Sequence, residues 1–204
     1  MRLHLQPRLL AAVLAFIFWL YGVVMVLYLI EPLYSLRGPV EARIALLWYH
    51  VWFLGNPVQV QVFEAARVYS VPVLAAALLA LETGLAQAYI VLRNARPGTA
   101  SIAAFTASLI ALVAAGVLRA LLRLLERGVD MLTGSYQLRT SAGLIVLGRE
   151  VVETSRFMEL GAWLALVLAG VLVVLSLLYI LATGVLEESS TSAGKIAANE
   201  AAAG

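Results

Sequence analysis

The chain has 204 residues, of which 63% are hydrophobic and 13% charged, against roughly 45–50% and about 25% in ordinary globular proteins. A water-soluble core cannot absorb that much apolar surface in so short a chain, so the solvent around most of these side chains must be lipid, and a multi-pass integral protein of the cell membrane is expected. A formal charge of +2 with no basic cluster argues against nucleic acid, and the absence of cysteine removes disulfides, thiolate nucleophiles and cysteine-ligated metals.

The N-terminus, with Arg2 and Arg8 ahead of an apolar run, has the outline of a signal peptide. The run is longer than an h-region and no small-residue cleavage site follows, so it reads as a retained span over 9–30, ended by Glu31-Pro32. A crossing helix needs about 20 mainly apolar residues. Three further segments meet that length, over 71–92, 101–122 and 160–185. Arg93-Asn94-Ala95-Arg96-Pro97-Gly98 forms a tight polar turn between the second and third, which must then be an antiparallel hairpin. The long loops 31–70 and 123–159 therefore share the opposite side. The fold expected is all-α, one four-helix transmembrane domain over 1–185. The tail 186–204 changes composition sharply and reads as a disordered, appended segment.

Both long loops are expected to carry some structure, including short β-strands. Ala42–Gly55 is rich in aromatics and suits a helix at headgroup level or a re-entrant segment. Pro57–Phe63 alternates strictly and reads as a strand. Tyr136–Thr140 and Leu144–Val152, around Ser141-Ala142-Gly143, read as a hairpin. Orientation is open: nine arginines flank the spans on the long-loop side against four on the other, favouring cytoplasmic loops, while Glu31 after the first span favours the reverse.

In lipid, helices approach through small residues. The second span offers Ala76, Ala80, Gly84 and Ala88, the third Ala103, Ala107, Ala111 and Ala115, and the fourth Gly161, Ala165 and Ala169. These three are expected to bundle tightly. The first, with its bulky Phe16–Tyr21 stretch, is expected to face lipid or a neighbouring subunit.

Glu82 stands near the middle of the second span, where a carboxylate costs about 2.5–3.5 kcal/mol on insertion scales. It must take a proton or find a partner. With Pro97 as the turn, residue 112 is level with it, Ser108 about 6 Å away along the axis and Arg119 about 10 Å the other way. Ser108, Thr106 and Arg119 are thus its candidate partners in an intramembrane polar site. The alternatives are a proton- or cation-binding site and a structural hydrogen bond between helices.

Arg119, Arg123 and Arg127 recur every fourth residue at one end of the third helix and read as interfacial, with Glu126 and Asp130 as local partners. His50 has only His4 as a second histidine, and neither lies within a span, so no haem or metal site and no cofactor is expected. No Gly-rich phosphate loop, HExxH, Gly-x-Ser-x-Gly or paired intramembrane aspartates occur, and no enzyme is expected. The partners expected are the bilayer and either a second copy or another membrane protein, engaged through the long loops. The alternative is a small oligomeric channel or proton- or cation-coupled transporter with Glu82 in its path.

Overall fold

The computed structural model describes residues 7–93, 98–133, 135–140, 143–149 and 151–183. The turn 94–97, the pair Ser141-Ala142 and everything from 184 onward, including the expected tail, lie outside the described residues.

The chain is mostly helical, with four helices long and apolar enough to cross a membrane: α1 (Pro7–Ile30), α2 (Gln61–Arg93), α3 (Gly98–Leu132) and α5 (Trp163–Thr183), with a short α4 (Arg156–Leu160) before the last. It is not all-α. The first long connection holds β1 (Tyr34–Arg37), β2 (Val40–Ile44), β3 (Tyr49–Phe53) and β4 (Asn56–Pro57), and the second holds β5 (Ser135–Thr140), β6 (Gly143–Arg149) and β7 (Val151–Thr154).

Each long helix buries one seam whose members are alternately three and four residues apart. In α1 the seam is Ala11, Leu14, Phe18, Tyr21, Met25 and Tyr28; in α2 it is Phe63, Ala66, Ser70, Val73, Ala77, Ala80, Gly84 and Gln87. In α3 it runs through Ala104, Ser108, Ala111, Ala115, Leu118, Leu122, Leu125 and Val129, and in α5, continuing from Ala162 just before it, through Ala165, Ala169, Leu172, Ser176 and Tyr179. A mean spacing of 3.5 keeps a seam facing its neighbours along the whole helix, as in coiled-coil packing. The helices pack in the cyclic order α1, α2, α3, α5, with α1 also against α5. Short and sheet-capped connections alternate, so neighbours are antiparallel.

This corrects the place given to the first span. α1 is not peripheral: Phe18, Tyr21, Met25 and Tyr28 have 0% exposure. Its bulk is one-sided, and the large seam residues fill the groove that alanines and glycines leave on the other helices. Phe16 and Trp19 point outward instead. Gly84 sits at a close approach of α1 and α2: a Cβ there would stand 3.1 Å from the Ala15 carbonyl oxygen and 3.3 Å from Phe18 Cβ. The four-residue ladders hold only in part. Ala76, Ala80, Gly84, Ala107, Ala111, Ala115, Ala165 and Ala169 are buried, but Ala88 is half-buried, Ala103 exposed and Gly161 outside the helix. Steps of four drift about 40° each around a helix of 3.6 residues per turn, so the ends of a ladder leave the interface.

At about 1.5 Å per residue α1 and α5 are roughly 36 and 32 Å long, while α2 and α3 exceed 49 Å. The surplus lies at one end, where the start of α2 and the end of α3 run on together. Gly128 admits the Phe63 ring there, with Phe63 Cε1 2.5 Å from where a Cβ would be. Against this projecting pair stands a five-stranded antiparallel sheet in the order β4-β3-β2-β1-β7. Tyr34, Leu36, Val40, Ala42, Ile44 and Val51 form its inner face and belong to the same hydrophobic core as the helix seams. Sheet and helices are therefore one packed body.

Two loop expectations are overturned. Ala42–Gly55 is neither helix nor re-entrant segment: Val40-Glu41-Ala42-Arg43-Ile44 alternates buried and exposed, and β3 pairs with it from Val40↔Phe53 to Ile44↔Tyr49. Leu54 (φ 49°) and Gly55 (φ 81°) make the tight turn into β4. Pro57–Phe63 is not a strand beyond Pro57, because the helix begins at Gln61 and Phe63 opens its seam. The second-loop hairpin is present as β5 and β6, paired from Ser135↔Arg149 to Thr140↔Gly143. Its continuation, β7, leaves the hairpin and pairs with β1. The last span begins at Trp163 rather than 160, because Gly161 (φ 56°) breaks the helix after α4, whose N-cap is Ser155.

Candidate functional site

The hairpin does not bring Glu82 to the partners its sequence position suggests. Glu82 lies on the outward face of α2, in line with Leu78, Leu85 and Tyr89, which are 50%, 58% and 58% exposed. It has no hydrogen-bond or ion-pair partner among the described residues. Its position two residues from each of the seam members Ala80 and Gly84 places it about 160° around the helix from them, away from the core.

The three candidate partners are engaged elsewhere. Ser108 is buried on the seam, its hydroxyl 2.9 Å from that of Ser176 on α5. The Thr106 hydroxyl is exposed and donates to the Ile102 carbonyl of its own helix at 3.1 Å. Arg119 is exposed, with its guanidinium 5.3 Å from the centre of the Trp163 ring. In the bundle interior side chains bond to backbone carbonyls: Tyr21 donates to Ala111 O at 2.6 Å, Tyr28 to Gly161 O at 2.5 Å, and Gln87 Nε2 to Ala100 O at 3.1 Å, while Gln87 Oε1 and the Tyr179 hydroxyl are buried without a partner among the described residues.

The chemically richest surface is the outer face of the sheet. β-strands place alternate residues on opposite faces. Burying Tyr34, Leu36, Ala42, Ile44 and Val51 therefore turns Ser35, Arg37, Glu41, Arg43, His50 and Trp52 outward. Trp48, just before β3, continues the row. The His50 ring stacks on Trp52 with centroids 5.5 Å apart and an interplanar angle of 9°, and leans on Trp48 at 5.5 Å. Register puts Arg43 opposite His50 and Glu41 opposite Trp52. Arg37 and Glu153 form an exposed pair at 3.5 Å that links β1 to β7. The outward residues of β1, β2 and β3, with Trp48, line an open cleft of about 740 Å³. Trp48 Nε1 donates to the Ile30 carbonyl at 2.9 Å, so the row starts at the end of α1 and climbs away from it.

The inner face is different. Burial first, and then the carboxylates of Glu126 and Asp130, push the Tyr34 hydroxyl up to about 12. On β3, Tyr49 donates to Glu64 Oε1 at 2.8 Å, and burial and that bond raise its hydroxyl above the usual range. These contacts fasten the sheet to the projecting ends of α2 and α3.

The aromatic density of Ala42–Gly55 did not by itself join Trp48, His50 and Trp52 into one row. The signal that joins them was available: polar and aromatic positions alternate with Tyr49 and Val51 over 48–52, next to the alternation of 40–44. Among the described residues no three His, Asp or Glu side chains converge as a metal site would require. Neither a family model, nor a curated protein, nor a solved structure matches this chain.

Proposed function

We propose that this chain is an integral membrane protein that works by contact, as an accessory subunit or self-associating component of a membrane complex, through the outer face of its sheet. The observation carrying the reading is the outward Trp48–His50–Trp52 row, an exposed imidazole between two half-buried indoles, beside Arg43 and Glu41 on a sheet packed into the same core as four apolar helices. Exposed aromatics and arginine are the residue types that supply most interface energy. Rigid attachment means little ordering entropy is lost on binding. A row rising from the end of α1 suits a partner that itself stands beside this protein in the membrane.

The test uses a photo-crosslinking side chain at position 52 in native membranes. A discrete adduct, weakened by Arg43→Glu, is expected. A monodisperse monomer in mild detergent with no adduct in membranes defeats the reading.

A second reading has its own support in the outward, unpartnered Glu82. Any ion or proton path must then run between copies, where Glu82 side chains meet, because the bundle seams are filled by side chains. Proton and cation flux in proteoliposomes, compared with Glu82→Gln of unchanged oligomeric state, decides it. Flux lost in the variant favours transport, and equal flux in both removes Glu82 from the path.

A further inference from the structure

A second cleft, of about 240 Å³, opens between α3 and the start of α5. Arg119 and Arg123, one turn apart on α3, line one side; Met158, Gly161 and Trp163 line the other, over an apolar floor of Leu122, Ala162 and Leu166. Both arginines are exposed, and neither has a carboxylate within ion-pair distance among the described residues. Glu126 lies at the end of the cleft one turn further along α3.

The height of this cleft is informative. In α3 the residues from Gly98 to Leu118 carry no charge and Arg119 is the first ionisable side chain, while α5 enters its apolar run at Trp163. The contact between Arg119 and Trp163 puts the two transitions at one level. Resting on the membrane reading above, that level is the boundary between hydrocarbon and headgroups, where tryptophan concentrates. A guanidinium presents a planar fork of donors that matches a phosphate, and two of them one turn apart can hold its oxygens from one side.

We propose that Arg119 and Arg123 bind the phosphate of an anionic phospholipid, whose glycerol region packs on Trp163 and whose acyl chains follow the apolar outer surface of α3 and α5. The charge is complementary, the floor is apolar, and the opening is at headgroup height. A zwitterionic lipid offers the same phosphate with an attached cation that two arginines repel. A free phosphate offers the charge without the chains.

The experiment uses the full chain in lipid nanodiscs of phosphatidylcholine with a minor fraction of phosphatidylglycerol, followed by mass spectrometry of the lipid retained on extraction. Phosphatidylglycerol is expected to be enriched several-fold over its share, because both lipids offer the phosphate but only phosphatidylcholine brings a cation that the two arginines repel. Arg119→Gln with Arg123→Gln should bring the enrichment to unity. If that double variant does not fold, Arg123→Gln, which leaves the contact with Trp163 intact, should still lower it several-fold. Arg127→Gln, outside the cleft, should leave it unchanged. An equal fall with Arg127→Gln means diffuse attraction and overturns the site. Protection of the cleft by inorganic phosphate in detergent, as strong as that by the lipid, overturns the lipid assignment. Absence of enrichment in a protein that floats with vesicles overturns the proposal alone, whereas failure to float overturns the membrane reading with it.

Discussion

The Tyr21 hydroxyl on α1 donates to the carbonyl oxygen of Ala111 on α3 at 2.6 Å, across the diagonal of the bundle and with both residues buried. α1 and α3 are not neighbours in the cyclic order, so this bond passes through the centre and closes it. A small residue at 111 leaves room for a ring arriving from the opposite helix.

Tyr21→Phe keeps the ring and removes the bond. Hydrogen bonds between helices in lipid average about 0.6 kcal/mol and reach about 1.7. A loss within that range is expected from unfolding in mixed micelles, with the fold retained. Tyr21→Ala removes the ring as well and should cost roughly 3–5 kcal/mol, the usual penalty for emptying a large aromatic site. Equal losses for the two would mean the ring contributes little and the centre is not packed as described.

Gly84 and Gly116 make a matched pair. A Cβ at Gly84 meets the Ala15 carbonyl at 3.1 Å and Trp19 Cδ1 at 3.2 Å, so α1 must move; nothing lies within 4 Å of one at Gly116. Gly84→Ala should destabilise by about 1–3 kcal/mol, as overpacking does. Gly116→Ala should be neutral or stabilise by up to about 1 kcal/mol through helix propensity. The same micelle titration measures both, and a reversed order would place α1 away from α2.

Tyr34 supplies a pH dependence with a definite sign. Its hydroxyl titrates near 12 in the folded chain against 10.0 unfolded, because burial and then Glu126 and Asp130 disfavour the phenolate. The unfolded chain gives up the proton first as pH rises. The stabilisation is therefore complete below pH 10 and is lost as pH rises from there through 12, by up to about 3 kcal/mol at about 1.4 per unit. Thermal unfolding between pH 9 and 12 should show a loss that Tyr34→Phe reduces. An unchanged slope in the variant would put the alkaline loss on other groups.

The four long helices were legible because twenty apolar residues in a row have few other uses, and Pro97-Gly98 left little choice for the hairpin. What stayed hidden was which side of each helix is inner. In α1 no position after Arg8 is charged, so Phe18 and Phe16 look alike by composition, and only the alternate spacing of three and four through Tyr21, Met25 and Tyr28 separates them. Glu82 was prominent as a residue, but its direction depends on where α1 packs, which no hairpin argument on α2 and α3 contains. The sheet was missed for a related reason. Aromatic density in Ala42–Gly55 drew a membrane-surface reading, whereas the partners that make it a sheet include β7, about a hundred residues away.

Glu82→Leu distinguishes an outward carboxyl from an interior one. On the outward face of an apolar helix, and with no intramolecular bond to lose, the substitution should leave the isolated protomer as stable as before or more so, by up to about 3 kcal/mol on the insertion scale. An interior carboxyl bonded to Ser108 would instead cost stability when removed. Unfolding of the protomer in detergent gives that value. Crosslinking yield in membranes, measured alongside, should fall if copies meet at this face.

The pairing of β1 with β7, from Tyr34↔Thr154 to Arg37↔Val151, joins the two long connections. In a membrane this forces them to one side, whichever side that is. The chain has no cysteine, so single cysteines report without background. His50→Cys and Glu153→Cys should both react with a membrane-impermeant maleimide from the same side, and Arg93→Cys only from the other. Both sheet positions are exposed, and neither is needed for the inner-face packing. Labelling of positions 50 and 153 from opposite sides cannot coexist with that strand pairing. It would dismantle the sheet, and with it the contact surface assigned to this protein.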